Sequence, residues 1–324
     1  MTHGANASTP DDVFLFAILD LRDGMVFAKD ALGHRENVTI GGINGVLEMP
    51  SLPNREGAFD GSLVPPEAAR TWECGNNPLF WGQEVVYPDG IARLQAALIK
   101  FRVPASKLRD HSTSVSKSLG NWYSTFVDFH DLFTKNSVRR GARVSSSDSV
   151  EHELFILDAN SQKVQPHGSE TIYFSSPIIS GRDALDRANF IEICRLCSFG
   201  SRPVLHYRIQ LQAYRALRDQ DYRKAMIESA IAAEIVLTEA IVKYTGYSYG
   251  DKIMKDHQTL GRRLKLAKKV GLSLPDGDFF KMVAEPRNQA IHEAKSFERS
   301  DALSVVMAVD QLLQMLSPRR DEQI

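Results

Sequence analysis

The pattern of apolar residues changes near residue 181, and this change limits the chain to two different kinds of folded unit. Before it, short apolar or β-branched runs alternate with glycines and polar segments. After it, apolar residues recur at helical spacing almost to the end. We therefore expect an α+β domain followed by an all-α domain. The predicted boundaries are residues 1–181 for the α+β domain, 182–203 for a connecting helix and linker, and 204–318 for the helical domain.

The first domain is predicted to mix strands and helices. Its predicted strands are VFLFAILDL (13–21), VTIGGINGVLEM (38–49), HELFILD (152–158) and TIYFSSPII (171–179). A helix is predicted over 91–101, since four apolar residues fall on one helical face there: Ile91, Leu94, Leu98 and Phe101. A second helix covers much of 114–134. Residues 136–150 are polar and serine-rich, which predicts an exposed loop.

The second domain is predicted to be a compact bundle of about five helices. It follows a helix over 183–197, which ends at the breaker cluster SFGSRP. Asp219 or Asp221 is predicted to cap the longest helix of the bundle. The predicted helices of the bundle cover 204–217, 222–244, 259–271, the segment around 285–294, and about 301–316.

Composition indicates a soluble globular protein, with 43% hydrophobic and 24% charged residues in 324. No run approaches the roughly 18 apolar residues of a membrane-spanning helix, so no membrane partner is expected. The start, MTHGANASTPDD, lacks the basic and then apolar layout of a secretory signal. Three cysteines cannot build a disulfide framework. These features predict a reduced, cytoplasmic protein.

Two short motifs invite a functional interpretation and do not support it. Cys194 and Cys197 form a CxxC pair, but zinc needs four ligands and no second CxxC exists. A redox dithiol normally begins a helix after a strand, whereas this pair falls near a helix end. Two core cysteines are therefore predicted, with no metal and no other cofactor. The stretch GGINGV (41–46) lacks the Lys-Ser/Thr ending of a phosphate loop, so a β-turn or bulge is predicted.

The stretch EPRNQAIHEA (285–294) contains the most informative polar pattern. Arg287 precedes His292 by five positions, and no other histidine has an arginine at that spacing. A guanidinium suits a phosphate, and an imidazole exchanges protons near neutral pH. Asn288 lies about 40° from His292 around a helix, so it is expected to orient the imidazole. Arg287 lies about 140° from His292, so the two should meet only around a ligand or across a partner subunit.

Pro286 leaves two arrangements open. If a helix begins there, Arg287 lies in its first turn, beside unpaired N–H groups and the positive end of the helix dipole. That combination suits a phosphate. The alternative is that residues 279–285 are already helical and Pro286 kinks the helix.

Two further groups of charged residues are candidates for the same site. Glu234 falls on the apolar side of 222–244, where an acid needs a partner, and Arg287 is the expected one. Glu234 either supports the chemistry or is paired for structure. Residues 201–324 hold 20 basic and 16 acidic residues, against 19 and 24 in residues 1–200. A basic helix there is predicted to bind RNA, with an ordinary solvated face as the alternative, through Arg262, Arg263, Lys265, Lys268 and Lys269.

The order of these features resembles the HEPN superfamily. A long apolar helix containing DYRKAMIESAIAAE is followed by a basic helix, by RNQAIH and by a closing helix. The superfamily signature is R-x-x-x-x-H, very often with Asn directly after Arg, as in Arg287-Asn288. The long helix is most similar to the Apea-like HEPN branch of abortive-infection and phage-defence proteins. The resemblance covers about residues 200–318, and Pro286 departs from its commonest pattern.

The resemblance implies a homodimeric, metal-independent endoribonuclease. The ribose 2′-hydroxyl attacks the adjacent phosphate and leaves a 2′,3′-cyclic phosphate. Arg287 would stabilise phosphoryl charge, His292 would act as general acid or base, Asn288 would position His292, and Glu234 would support them. The expected partners are RNA and a second copy of the chain. The N-terminal domain would sense a phage or cellular trigger for a toxin-like effector.

Two other functions stay open at this point. The helical domain could be a non-catalytic module that dimerises or binds a nucleotide or RNA, with specificity in the N-terminal domain. An enzyme housed in the N-terminal domain is the third possibility. Sequence alone does not show whether the histidines of that domain converge: His111, His130, His152 and His167.

Overall fold

A computed structural model describes most of the chain. The described residues are 12–53, 61–70, 73–74, 77–78, 81–84, 90–134, 149–157, 163–164, 169–173, 184–293 and 296–318. The chain divides into two compact units, Met1–Arg202 and Pro203–Ile324. Among the described residues, no helix is both long and apolar enough to cross a membrane.

The first unit is built on an antiparallel β-sheet. Its strands are β1 (Asp12–Ala28), β2 (Arg35–Ile40), β3 (Ile43–Glu48), β4 (Glu73–Cys74), β5 (Asn77–Pro78), β6 (Gly82–Glu84), β7 (Ile91–Pro104), β8 (Ser149–Leu157), β9 (Lys163–Val164) and β10 (Ser169–Tyr173). The main strand order is β10-β8-β1-β7-β3-β2. Strand β6 pairs with β7, β9 pairs with β8, and β4 pairs with β5 in a separate small sheet.

The sheet confirms the predicted strand positions wherever they are described. The run 13–21 lies in β1, 38–49 is the β2–β3 hairpin, and 152–157 lies in β8. Of the strand predicted at 171–179, residues 171–173 lie in β10 and the rest lie outside the described residues. Most of the loop predicted at 136–150 also lies outside them, and its last two residues begin β8.

Two glycines close the β2–β3 hairpin. Gly41 and Gly42 have φ angles of 60° and 78°, as the tight turns that match strand twist require. A Cβ on Gly41 would lie 2.6 Å from the Ser114 carbonyl oxygen, so the position also needs a glycine for lack of space. The β-turn predicted for GGINGV is confirmed.

The helix predicted at 91–101 is wrong, because these residues form the central strand β7. It pairs with β1 on one side and with β3 and β6 on the other. Residues on both of its faces are buried, among them Leu94, Leu98, Ile99 and Phe101. A strand buried on both faces loses the alternation that distinguishes a half-exposed strand. Apolar residues then fall at helical spacing simply because most positions are apolar.

Two helices pack on this sheet, α1 (Leu108–Thr134) and α2 (Arg187–Ser198). The predicted helix 114–134 is therefore confirmed within a longer one. Asp186 caps α2 by accepting from the Asn189 N–H at 2.8 Å. The Phe190 ring of α2 meets Phe27 of β1 and Phe126 of α1 edge-on. The helix predicted as a connecting segment thus packs inside the first unit.

The second unit is helical. Its α-helices are α3 (Leu205–Arg218), α4 (Tyr222–Thr245), α5 (Lys252–Asp256), α6 (Leu260–Lys269), α7 (Glu285–His292) and α8 (Arg299–Leu316). The long helix α4 packs against α3, α6, α7 and α8, and buried alanines allow their close approach. Asp221 caps α4 by accepting from the Lys224 N–H, and Gly246 ends it in the left-handed conformation. The short α5 was not predicted.

A buried polar cluster joins α3 to α8. Asp310, 7% exposed, accepts from Gln210 Nε2 at 3.1 Å and from the Tyr214 hydroxyl. Gln210 Nε2 also donates to the Val306 carbonyl at 3.0 Å. Because a buried carboxylate is costly unless it is hydrogen-bonded, this cluster restricts how α8 can pack on α3.

Candidate active site

The helix that carries the motif, α7, does not begin in open solvent. It follows directly on a π-helical turn, Phe280–Ala284, and the Glu285 N–H donates to the Phe280 carbonyl. Pro286 explains the wide turn, because a proline ring inside an α-helix clashes with the carbonyl four residues earlier. The helix therefore runs through Pro286, which is the second of the two arrangements that the sequence left open.

This continuity changes the surroundings of Arg287. Ala284, the residue before α7, has helical backbone angles, with φ −71° and ψ −40°. The turn that contains Arg287 is thus the continuation of a helix. The other arrangement, a helix start at Pro286 with unpaired N–H groups beside Arg287, is not the one found in the described residues.

The guanidinium of Arg287 is half-buried and already has one partner. Its Nη1 donates to Asn288 Oδ1 at 3.1 Å. Asn288 is expected to orient His292, and this stays a prediction, since no hydrogen bond joins the two side chains among the described residues. The 40° separation brings the two side chains to one side of α7, but the neighbouring cation binds the amide oxygen instead.

Glu234 of α4 is electrostatically coupled to Arg287, the partner expected from the sequence. Burial raises the pKa of Glu234, and the positive charges of Arg287 and Arg263 partly offset that rise. Among the described residues Glu234 has no direct ion pair, so the two arginines act on its carboxylate through longer-range electrostatics. The apolar surroundings of Glu234 thus make a site where an ionised acid is unfavourable, which is typical of functional residues.

Arg263 is the residue whose placement differs most from its predicted role. It was predicted to lie on an RNA-binding surface, but its side chain is 9% exposed and points into the helical unit. Its Nη1 contacts Met254 Sδ at 3.4 Å, and its Nε has no hydrogen-bond partner among the described residues. Burial lowers the pKa of Arg263, and Glu234 opposes that change. Arg263 therefore belongs to the Glu234 cluster.

The other cations of α6 are exposed, as an RNA-steering surface requires: Arg262, Lys265, Lys268 and Lys269. Arg262 also donates to the Asp256 carbonyl at 3.2 Å. The face is compatible with both interpretations that the sequence left open, since an ordinary solvated helix has the same appearance.

His292 is exposed and is the last residue of α7. Its ring forms no hydrogen bond with any described residue. Arg223 of α4 binds the carbonyls of the two preceding residues, Ala290 and Ile291. Sequence reasoning missed Arg223, although it lies in the DYRK stretch that carries the family resemblance. A polar residue in the first turn of a helix gives no signal of a distant backbone partner.

The CxxC pair is buried in the first unit, as predicted. Cys194 and Cys197 are free thiols, and burial raises the pKa of both. Ser198 follows them and donates to the Cys194 carbonyl at 2.8 Å, while it accepts from the Thr39 N–H of β2 at 2.9 Å. The Ser198 hydroxyl thus connects the end of α2 to β2, the last strand in the sheet order.

Of the four histidines considered in the N-terminal domain, the two whose side chains are described do not converge. His111 lies near the start of α1 and His130 near its end, so about 28 Å of helix separates them. His130 is buried beside Asp131 and against the Phe27 ring. The side chains of His152 and His167 lie outside the described part of the structure.

Comparison of the chain with known protein families, curated proteins and solved structures found no match. The HEPN interpretation therefore depends on the motif, the order of helices and the site described above.

Proposed function

We propose that the chain is a HEPN-type, metal-independent endoribonuclease that acts as a homodimer. The observation that supports this proposal is the placement of Arg287 and His292 on one eight-residue helix. Arg287 is coupled to the half-buried Glu234, whereas His292 is exposed. The first is suited to a fixed phosphate contact, and the second to proton transfer with an RNA substrate.

The proposed reaction needs the RNA, these side chains and solvent water, which exchanges the proton that His292 does not. The ribose 2′-oxygen attacks the adjacent phosphorus as its proton passes to a base. The bond from phosphorus to the 5′-oxygen breaks, and an acid protonates that oxygen. The products are a 2′,3′-cyclic phosphate and a 5′-hydroxyl. His292 serves as acid or base, and Arg287 stabilises the charge on the non-bridging oxygens.

In the proposed dimer, each site combines side chains from both copies of the chain. Arg287 and His292 point about 140° apart on α7, so one phosphate is expected to contact Arg287 of one copy and His292 of the other. In this proposal the first unit is a sensor or regulator of a toxin-like effector of phage defence. The exposed cations of α6 steer RNA toward the shared cleft.

The non-catalytic alternative has one observation in its favour. Arg287 already has Asn288 and Glu234 as neighbours, which is how a purely structural arginine is held. In that case α7 would dimerise or bind a nucleotide or RNA without cleaving it. Both functions predict binding, and only the first predicts cleavage that depends on His292.

The deciding experiment compares wild type with Arg287→Ala, His292→Ala and the exposed-face control Glu285→Ala. Each is expressed in cells, with growth and RNA integrity scored, and each is purified and incubated with RNA in a chelator. Wild type and the control should cleave RNA and leave cyclic-phosphate ends, and the two site variants should lose about 100-fold or more in rate. If His292→Ala cleaves as well as wild type, the proposal is wrong.

A mixing experiment tests the shared site. A dimer formed from one Arg287→Ala chain and one His292→Ala chain holds one intact composite site and one that lacks both groups. Co-expression of the two inactive variants should therefore restore part of the cleavage. No restoration in a verified mixed dimer would show that each chain uses its own pair.

A further inference from the structure

We propose that Arg223 is a positioning residue for His292. It holds the last turn of α7 and offsets the negative end of that helix. The role of His292 in this inference rests on the proposed function, but the contact itself does not.

The contact is a two-point one. Arg223 Nε donates to the Ala290 carbonyl, and Nη2 donates to the Ile291 carbonyl at 3.3 Å. The second carbonyl belongs to the peptide group that joins Ile291 to His292. A planar guanidinium fixes two acceptors in one geometry, which a lysine ammonium cannot do. Arg223 thus holds the peptide group next to His292, and the position of this group determines where the His292 side chain starts.

The end of α7 needs such a partner. The last four carbonyls of a helix have no intrahelical donor, so the end of α7 depends on partners outside the helix. Its final bond runs from the Glu293 N–H to the Gln289 carbonyl at 2.9 Å, and Glu293 is already extended, with φ −107° and ψ 137°. Without Arg223 this turn should fray, and His292 would lose a fixed direction.

Charge gives a second reason. A helix C-terminus carries roughly half a negative charge, which opposes the approach of a phosphate to His292. The guanidinium of Arg223 lies on the carbonyls that carry this charge. It therefore makes the exposed end of α7 acceptable to an anionic substrate, while Arg287 serves the other side of the helix.

The backbone of Arg223 lies in a well-held part of the helical unit. It lies in the first turn of α4, which is capped through Asp221 and the Lys224 N–H at 3.1 Å. Helix α4 packs along α7, and Ala290 is fully buried. Movement of the α7 end relative to α4 thus requires that the two hydrogen bonds of Arg223 break.

The test uses the full chain with Arg223→Gln, Arg223→Lys and the control Lys224→Gln, which removes the adjacent exposed charge. Hydrogen exchange at Ile291–Glu293 reports on the helix end. The NMR signal of the His292 ring, assigned by His292→Gln, reports on its environment without any need for activity. RNA cleavage is measured in parallel, with kcat and KM separated.

Arg223→Gln should speed exchange at the Glu293 amide at least tenfold and move the His292 signal, while Lys224→Gln should change neither. Arg223→Lys should retain part of the protection. Cleavage by Arg223→Gln should fall about 10–100-fold, mainly in kcat, because a displaced proton-transfer group affects the transition state more than binding. Unchanged exchange together with an unchanged His292 signal would overturn the inference. If those readouts change but wild type cleaves no RNA, the proposed function fails while the positioning role stands.

Discussion

Replacing Glu234 by glutamine should stabilise the helical unit at neutral pH and impair its function at the same time. Burial raises the pKa of Glu234 above its ordinary value of 4.5, and Arg287 and Arg263 offset this only in part. The ionised carboxylate therefore costs folding free energy at its site. Glutamine keeps the shape of the side chain and removes the charge.

The size and pH dependence of the gain follow from the structure. Glu234 is partly exposed, so solvent screening limits the gain to about 1 kcal/mol or less. When folding raises the pKa of an acid, the protonated acid contributes to the free energy of unfolding. That contribution is fully present below the pKa of the unfolded state and is lost as pH rises through the pKa of the folded state. Glu234→Gln has no titrating group at this position, so it does not lose stability in this way. The gain in free energy of unfolding relative to wild type should be absent well below pH 4.5, grow as pH rises above that value, and then level off.

The two units can be followed separately in the intact chain. The three tryptophans, Trp72, Trp81 and Trp122, all lie in the first unit, so tryptophan fluorescence during urea unfolding reports on that unit. Hydrogen exchange of the α4 amides, converted to opening free energies at each pH, reports on the helical unit. Glu228→Gln on the same helix, about 120° around it, is the matched control. It should not show the pH-dependent gain.

The result that would refute this reasoning is a lower opening free energy for Glu234→Gln at neutral pH. Glu234 would then be an acid paired for stability, which is the other interpretation that the sequence left open. A stability gain together with lost RNA cleavage would show instead that the charge is kept for function at a cost in stability.

Two smaller predictions concern the structure around the site. Tyr214→Phe removes a hydroxyl that donates to the buried Asp310, so the helical unit should lose about 1.5–3 kcal/mol in hydrogen-exchange stability, and a change below 0.5 kcal/mol would contradict the bond. Burial raises the pKa of Cys197, so a thiol-alkylating reagent at neutral pH should label Cys197 only after unfolding, as peptide mass mapping would show. Fast labelling of the native protein would contradict the core position.

The helices of the second unit were predictable because local signals agree there. The run 222–244 combines helical periodicity, an acidic cap at Asp221 and a glycine at its end, and the structure uses all three. β7 was not predictable in the same way. Its partners on both sides are distant in sequence, and burial of both its faces removes the alternation that identifies a strand.

The site was only partly predictable for a related reason. The coupling of Glu234 to Arg287 follows from an acid on an apolar helix face, which must find a cation. The burial of Arg263 has a signal in the helical periodicity of α6. It lies on the same side of α6 as Leu260, Leu264 and Ala267, all of which are buried. Counting charges along the run grouped it with its exposed neighbours, whereas helical periodicity separates it from them.

The charges around α7 fall into two groups, and their difference supports a division of labour. At the start of the helix, Arg287, Glu234 and Arg263 form a partly buried cluster in which burial opposes the charge of Glu234 and Arg263. At its end, Arg223 and His292 are exposed, and the arginine is tied to the backbone. A buried cluster exchanges protons poorly with solvent, whereas an exposed imidazole is accessible to solvent and to a substrate. In the proposed function, the partly buried cation binds the phosphate and the exposed imidazole transfers the proton.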